Sequence, residues 1–167
     1  MGTITTAMCN SFKQELLGGV HDLDTHTLKL ALIKPSPTGT YGAATTNYSD
    51  ITGNSDEATG TYGAATTNYS DITGNSDEAT GTNYTAGGQN LDSATITLSG
   101  TTAFVDFADE VFSNLTISAG GAIIYNSSAS NKAIAIFAFS STVSSTAGDF
   151  TVIFPTADAS NAVIRIT

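Results

Sequence analysis

The chain is 167 residues long, one domain's worth, and only 12% of it is charged, about half the ~25% usual in soluble domains. Fifteen acidic residues against five basic ones leave a net charge of −10, a sign that repels phosphate backbones and anionic lipid and so argues against nucleic-acid and membrane partners. Cys9 is the single cysteine, so neither a disulfide framework nor a thiolate metal cluster is available, and its plainest role is that of a bland small residue. No run approaches the ~18 apolar residues of a membrane-spanning helix. The N-terminus lacks the basic-then-apolar order of a secretory signal, which points to synthesis in the cytoplasm and makes the sequons at Asn47, Asn68, Asn83, Asn114 and Asn126 simple Asn-rich turns. "MGTITT" fits the loose myristoylation pattern, but no polybasic second signal follows it.

In chain order, "NSFKQELLGGV" predicts a short helix. Asn10 or Ser11 can cap it, Phe12, Leu16 and Leu17 share a face, and Gly18-Gly19 end it. After "HDLDTH" the period changes to two: in "TLKLALI", Leu28, Leu30 and Leu32 point one way and Lys29, Ala31 and Ile33 the other, until Pro35 and Pro37 stop the ladder. Strand signals resume at "ATITLS", with Ile96 and Leu98 expected to face inward, and at "TAFVDFA", where Phe104 opposes Val105 and Phe107. "NLTIS", "GAIIYN" and "KAIAIFAFS" follow as separate strands, the last two joined by the turn-rich "SSASN" into a hairpin. Both faces of "AIAIFAF" are apolar, as in a strand covered on two sides. "STVSSTAGD" reads as a loop, "FTVIF" as a strand closed by Pro155, and "NAVIRIT" as a last strand with Ile164 and Ile166 on one face. Seven or eight short strands with frequent turns predict an all-β, single-domain β-sandwich of two sheets over residues 1–167, with one short N-terminal helix.

Residues 38–58, "TGTYGAATTNYSDITGNSDEA", recur without a difference as residues 59–79. Solenoids need at least about three units, and their units diverge. Two identical copies read instead as a recent tandem duplication, so that 38–79 is a duplicated 21-residue loop insertion between strands, where exposed backbone tolerates added length. "DITGNSDE" offers oxygen donors at Asp50, Thr52, Asn54, Asp56 and Glu57, and again at Asp71, Thr73, Asn75, Asp77 and Glu78, the atoms calcium takes. The Gly and terminal Glu of an EF-hand loop are misplaced, which favours a solvated acidic loop.

Catalytic and cofactor chemistry is missing from the letters. His21 and His26 stand beside Asp22 and Asp24, but zinc wants a third ligand and a serine nucleophile wants a Gly-x-Ser-x-Gly elbow that is absent. A polar turn in water accounts for "HDLDTH". Asp106, Asp109 and Glu110 could form a glycosidase-like carboxylate pair, yet there is no Trp to make a sugar platform. "TAGGQN" and "SAGGAI" lack both the phosphate-cradling motif and the helix that must follow it. The expectation is no catalytic residue, no metal and no cofactor.

The stretches "NSFKQELL", "HDLDTHTLKLALI", "NYTAGGQNL" and "ISAGGAIIYNSSASNKAIAIFAFSSTVSSTAGDFTVIF", in that order and spacing, resemble a family of small tailed-bacteriophage virion proteins. Those proteins run a short N-terminal helix, a "DTIKVALV" strand, a "GYTAGG" turn, an "ARGAVIYK" hairpin and a "GDFTITW"-like strand. The resemblance covers nearly the whole chain apart from one repeat copy. It implies a non-enzymatic structural protein, a capsid decoration (cement) protein on the outer surface of the virion. Its implied partners are the major capsid protein and further copies of itself as a homo-oligomer. Asn83 departs from the family where Gly is common, and Phe154-Pro155 departs where Trp is common. The alternative function is a tail or fibre module that recognises a host surface glycan. Within the decoration reading, residues 1–9 are expected to lie as an added strand on a partner subunit, against the plainer expectation of a frayed end.

Overall fold

The structure, a computed structural model, describes residues 2–52, 77–92 and 94–167. In chain order the elements are β1 (Ala7–Met8), α1 (Asn10–Leu17), β2 (Leu28–Ile33), α2 (Ser49–Thr52), β3 (Gln89–Asn90), β4 (Thr95–Ser99), β5 (Thr102–Asp106), β6 (Glu110–Asn126), β7 (Lys132–Val152) and β8 (Ile164–Ile166). Two antiparallel sheets, ordered β1-β7-β6-β2-β3 and β4-β5-β8, share one hydrophobic core, so the chain has the expected all-β, sandwich-like architecture with a short helix.

The large sheet is built on β2, β6 and β7. Leu30 pairs with Ile124, Ala31 with Ile123, Ile123 with Ile136 and Ile124 with Ala135. Because side chains alternate, these pairings place Leu30 and Ile124 on one face and Ala31, Ile123 and Ile136 on the other, and all are buried. On the second face Tyr48 of the repeat stacks on Tyr125 at 4.3 Å, and the N-terminal segment lays Ile4 over Gly121. On the first face Phe137 meets Phe154, which in turn meets Phe107 after β5. Cover on two sides explains the continuous apolar letters of "AIAIFAF".

Several local expectations change. β6 runs unbroken for 17 residues and β7 for 21, so "NLTIS" and "GAIIYN" are one strand, and "STVSSTAGD" belongs to a strand rather than a loop. Length is tolerated because the register breaks. Gly121 pairs with Ala138 and Ala119 with Val143, leaving residues 139–142 opposite Gly120 alone. Such bulges bend a strand and add twist. Asn126 ends the hairpin: its side chain accepts from Ala129 N at 3.1 Å, and Ser130 and Asn131 then take left-handed φ of 56° and 60°. Ile96 and Leu98 do not face inward. They are 54% and 72% exposed, because β4 is an edge of the small sheet, which meets the core through β5 and Ile164.

At the helix, Cys9 rather than Asn10 or Ser11 occupies the cap, and it makes no side-chain bond there. Backbone ties to the neighbours fix the entry instead: Cys9 N donates to Ile134 O and Asn10 N to Ala43 O. Phe12 is fully buried, while Leu17, one step further round, is 92% exposed. The leader is neither frayed nor held out for a partner. Gly2 N donates to Pro37 O, Thr5 N to Tyr41 O, and Ala7–Met8 pair with Ile136 and Ala135, so it adds a strand to its own sheet.

Candidate functional site

Asp77 and Glu78, at the end of the repeat, are placed against their neighbours, not in water. Asp77 is fully buried, its Oδ1 2.5 Å from Lys34 Nζ, and its Oδ2 accepts from Thr38 N, Gly39 N and the Tyr41 hydroxyl at 2.7 Å each. Burial pushes this carboxyl upward, but Lys34, the two amides and Tyr41 outweigh it, and the net effect holds it below the usual range. Glu78 sits next to it among three tyrosines. It accepts from Tyr48 (2.5 Å), Tyr84 (2.8 Å) and Gly87 N (2.7 Å), while Tyr125 donates to Gly87 O (2.7 Å). Burial first, and Glu78 second, push these phenols well above their ordinary value and keep them as donors. Gly88 makes the close approach of this turn to β2 possible. Gly88 has φ +66°, and a Cβ there would lie 1.8 Å from Leu30 O. Asn83 also takes a left-handed φ, 65°, a conformation that Asn adopts more readily than most residues.

The calcium donors are not assembled among the described residues. Asp50 Oδ2 accepts from Thr46 N and Asn47 N, a local turn far in role from Asp77 and Glu78. Asn54, Asp56, Glu57, Asp71, Thr73 and Asn75 lie outside the described residues.

The two histidines do meet, through a residue that sequence reasoning passed over. The buried Asn126 lies 3.1 Å from His21 Nδ1 and 2.9 Å from His26 Nδ1 through its amide nitrogen. Its oxygen is committed to Ala129 N, which sets the amide orientation, so both rings accept through Nδ1. His21 Nε2 then faces Glu15 Oε2 at 3.0 Å, and Glu15 Oε1 pairs with Lys132. This network joins helix, turn and hairpin and keeps His21 buried, where a polar turn in water was expected. The carboxylates around β5 and β6 have backbone duties too: Asp106 accepts from Phe107 N and Asp109 from Phe154 N. Glu110 is buried, and burial, then Asp92, pushes its carboxyl upward. Burial, then Asp50 and Glu15, pushes the Cys9 thiol to about 12, so it stays a thiol at neutral pH. Among the described residues no three His, Cys, Asp or Glu side chains converge as metal ligands do.

What these groups leave free is a surface. Beyond Ile136 the outer edge of β7 has no strand beside it among the described residues, and its side chains at 140–144, 146, 147, 149 and 151 are exposed. Beside it a cleft of about 500 Å³ is lined by Lys34, Glu78, Thr116, Ser118, Ser144 and Thr146. Ser118 and Ser144 share a hydrogen bond of 2.7 Å across the strands. The signal for this surface was in the letters: "STVSSTAGD" alternates polar and apolar less sharply than a core strand, but it contains no Pro and one charge. No family model, curated protein or solved structure matches the chain.

Proposed function

We propose that the protein is a non-enzymatic structural component of a tailed-bacteriophage particle, a decoration protein that binds the outside of the major capsid protein lattice in many copies. The observation that carries this reading is the outer edge of β7, which has no strand beside it among the described residues, over a run from 143 to 151 whose only charge is Asp149. Monomeric proteins guard such edges with Lys, Pro or inward charge. Among the described residues no strand pairs with this edge, which suits strand addition, a mode in which main-chain bonds supply affinity and small side chains allow close approach. Among the described residues His21, His26, Asp77 and Asp109 are engaged in holding the hairpin turn, the repeat and the backbone after β7. The order of motifs that resembles small phage virion proteins supports the setting, and the low charge suits a protein that works by area and copy number.

Counting the protein in purified particles tests the reading, with hundreds of copies expected of a decoration protein and tens of a tail or fibre module. A second arm replaces Thr142 and Thr146, both exposed, with Lys. Surface changes of this kind shift stability by only about 0.5 kcal/mol, so occupancy should fall several-fold while the thermal midpoint holds. Unchanged occupancy would remove the β7 edge from the interface.

A further inference from the structure

The small sheet carries apolar rows that the core covers only in part. Strand pairing sets Ile96, Val105 and Ile164 in line on one face, with Leu98, Ala103 and Ile166 in line beside them on that same face. Val105 and Ile164 are buried in the shared core, whereas Ile96, Leu98 and Ile166 are exposed. Both rows end at β4, which has no strand on its outer side among the described residues.

Edge strands of monomers are commonly guarded by Lys, Pro, a bulge or an inward charge. β4 has none of these. Its register with β5 runs unbroken from the Thr95–Asp106 pair to the Ser99–Thr102 pair, and the letters from Ala94 to Val105 hold neither charge nor proline. In a chain of net charge −10 this is a place where two molecules can meet without setting acid against acid.

The letters also select the occupant. A contact about a two-fold axis must be self-complementary, so a residue one place before the axis meets the residue one place after it. Centred on Thr97, "TITLS" satisfies this: Ile96 falls opposite Leu98 of the second copy, Thr95 opposite Ser99, and Thr97 opposite its own counterpart. Apolar side chains meet apolar ones, and the hydroxyl pairs are of the kind that bond across antiparallel strands. The rows also join. Ile166, Ala103 and Leu98 of one copy continue into Ile96, Val105 and Ile164 of the other, so each exposed row runs up to the row that enters the core of its neighbour.

We propose that two copies of this chain associate through β4, adding their three-stranded sheets edge to edge into one six-stranded antiparallel sheet about a two-fold axis at Thr97. Main-chain bonds between the two β4 strands supply the affinity, as in other strand additions. The strand is five residues long, so the contact belongs with small, weak interfaces. It is separate from the β7 edge, which lies on the other sheet, and it is tested on free protein with no particle present.

Sedimentation equilibrium of the full chain gives the test. The parent should show reversible dimers at about 100 μM, the range of weak interfaces. Thr97→Lys and Thr97→Glu change an exposed side chain, and each sets like charges opposite one another at the axis. Each alone should weaken association about five-fold or more. An equimolar mixture of the two should dimerise again, because opposite charges then face across the join; a variant that had merely lost its fold would not recover on mixing. Thr146→Lys, on the exposed run of β7, should leave the dimer as it is. A monomeric parent at that concentration overturns the proposal. So does a dimer that ignores both changes at Thr97, a mixture that stays monomeric, or a dimer that Thr146→Lys weakens as much as Thr97→Lys does.

Discussion

Near its turn the β6–β7 hairpin is dry on both faces: Ala122, Ile123, Ile124, Ile134 and Ile136 have no exposed surface. At its far end Phe112, Leu115 and Ile117 are buried, but Val111 and Val143 are 42% exposed and Ser113, Thr116 and Ser118 face water. The strands are the same two strands throughout, and only their cover differs. The near half has the leader and the repeat on one side and the aromatic cluster of Phe107, Phe137 and Phe154 on the other. The far half has one covered face and, beyond Ile136, an uncovered edge among the described residues. A half covered on both faces thus carries a half covered on one.

The contrast makes its largest prediction in the core. Ile123→Ala in the near half removes a fully buried side chain and should cost about 2–5 kcal/mol, read as a lower denaturant midpoint. Val143→Ala in the far half should change stability by no more than about 0.5 kcal/mol. Equal losses would mean that the two halves are covered alike.

The next effect concerns the repeat's hold on the near half. The folded carboxyl of Asp77 sits below its unfolded value, so its stabilisation is complete above about pH 4 and is lost as pH falls through the folded value. The thermal midpoint should therefore drop between pH 5 and pH 2.5. An Asp77→Asn chain should start lower and fall less steeply over that range. Parallel curves would show that Asp77 carries none of the acid sensitivity. The smallest effect is at the leader's end: Cys9, buried and held as a thiol, should resist a thiol reagent at pH 8 in native protein and react at once after unfolding. Rapid native labelling would show that the leader opens from the sheet edge.

The sequence carried the near half well. Period-two letters placed β2 and its two faces, and the double apolar run of "AIAIFAF" announced cover on both sides. The far half was misread because Ser, Thr, Ala and Gly serve loops and uncovered strands equally, and only the pairing of Ser118 with Ser144 and Ala119 with Val143 tells them apart. Asp77 and Glu78 read as part of a solvated acidic loop, and their burial was not legible for a different reason. Their partners Lys34, Tyr41, Tyr48 and Tyr84 are distant or lie in a polar segment, and the clue was two tyrosines and an isoleucine in each copy of a stretch taken for loop. Asn126 looked like a turn residue and is one, but its buried amide also reaches His21 and His26 from 105 and 100 positions away, a link that spacing does not reveal.

Hydrogen exchange at residues 143–151, measured on the free protein and on purified particles, tests the central claim most directly. The outward amides of β7 should exchange fast in the free protein, as unpaired edge groups do, and slowly on the particle, with the near half protected in both. Fast exchange at 143–151 on particles that carry the protein would contradict the account.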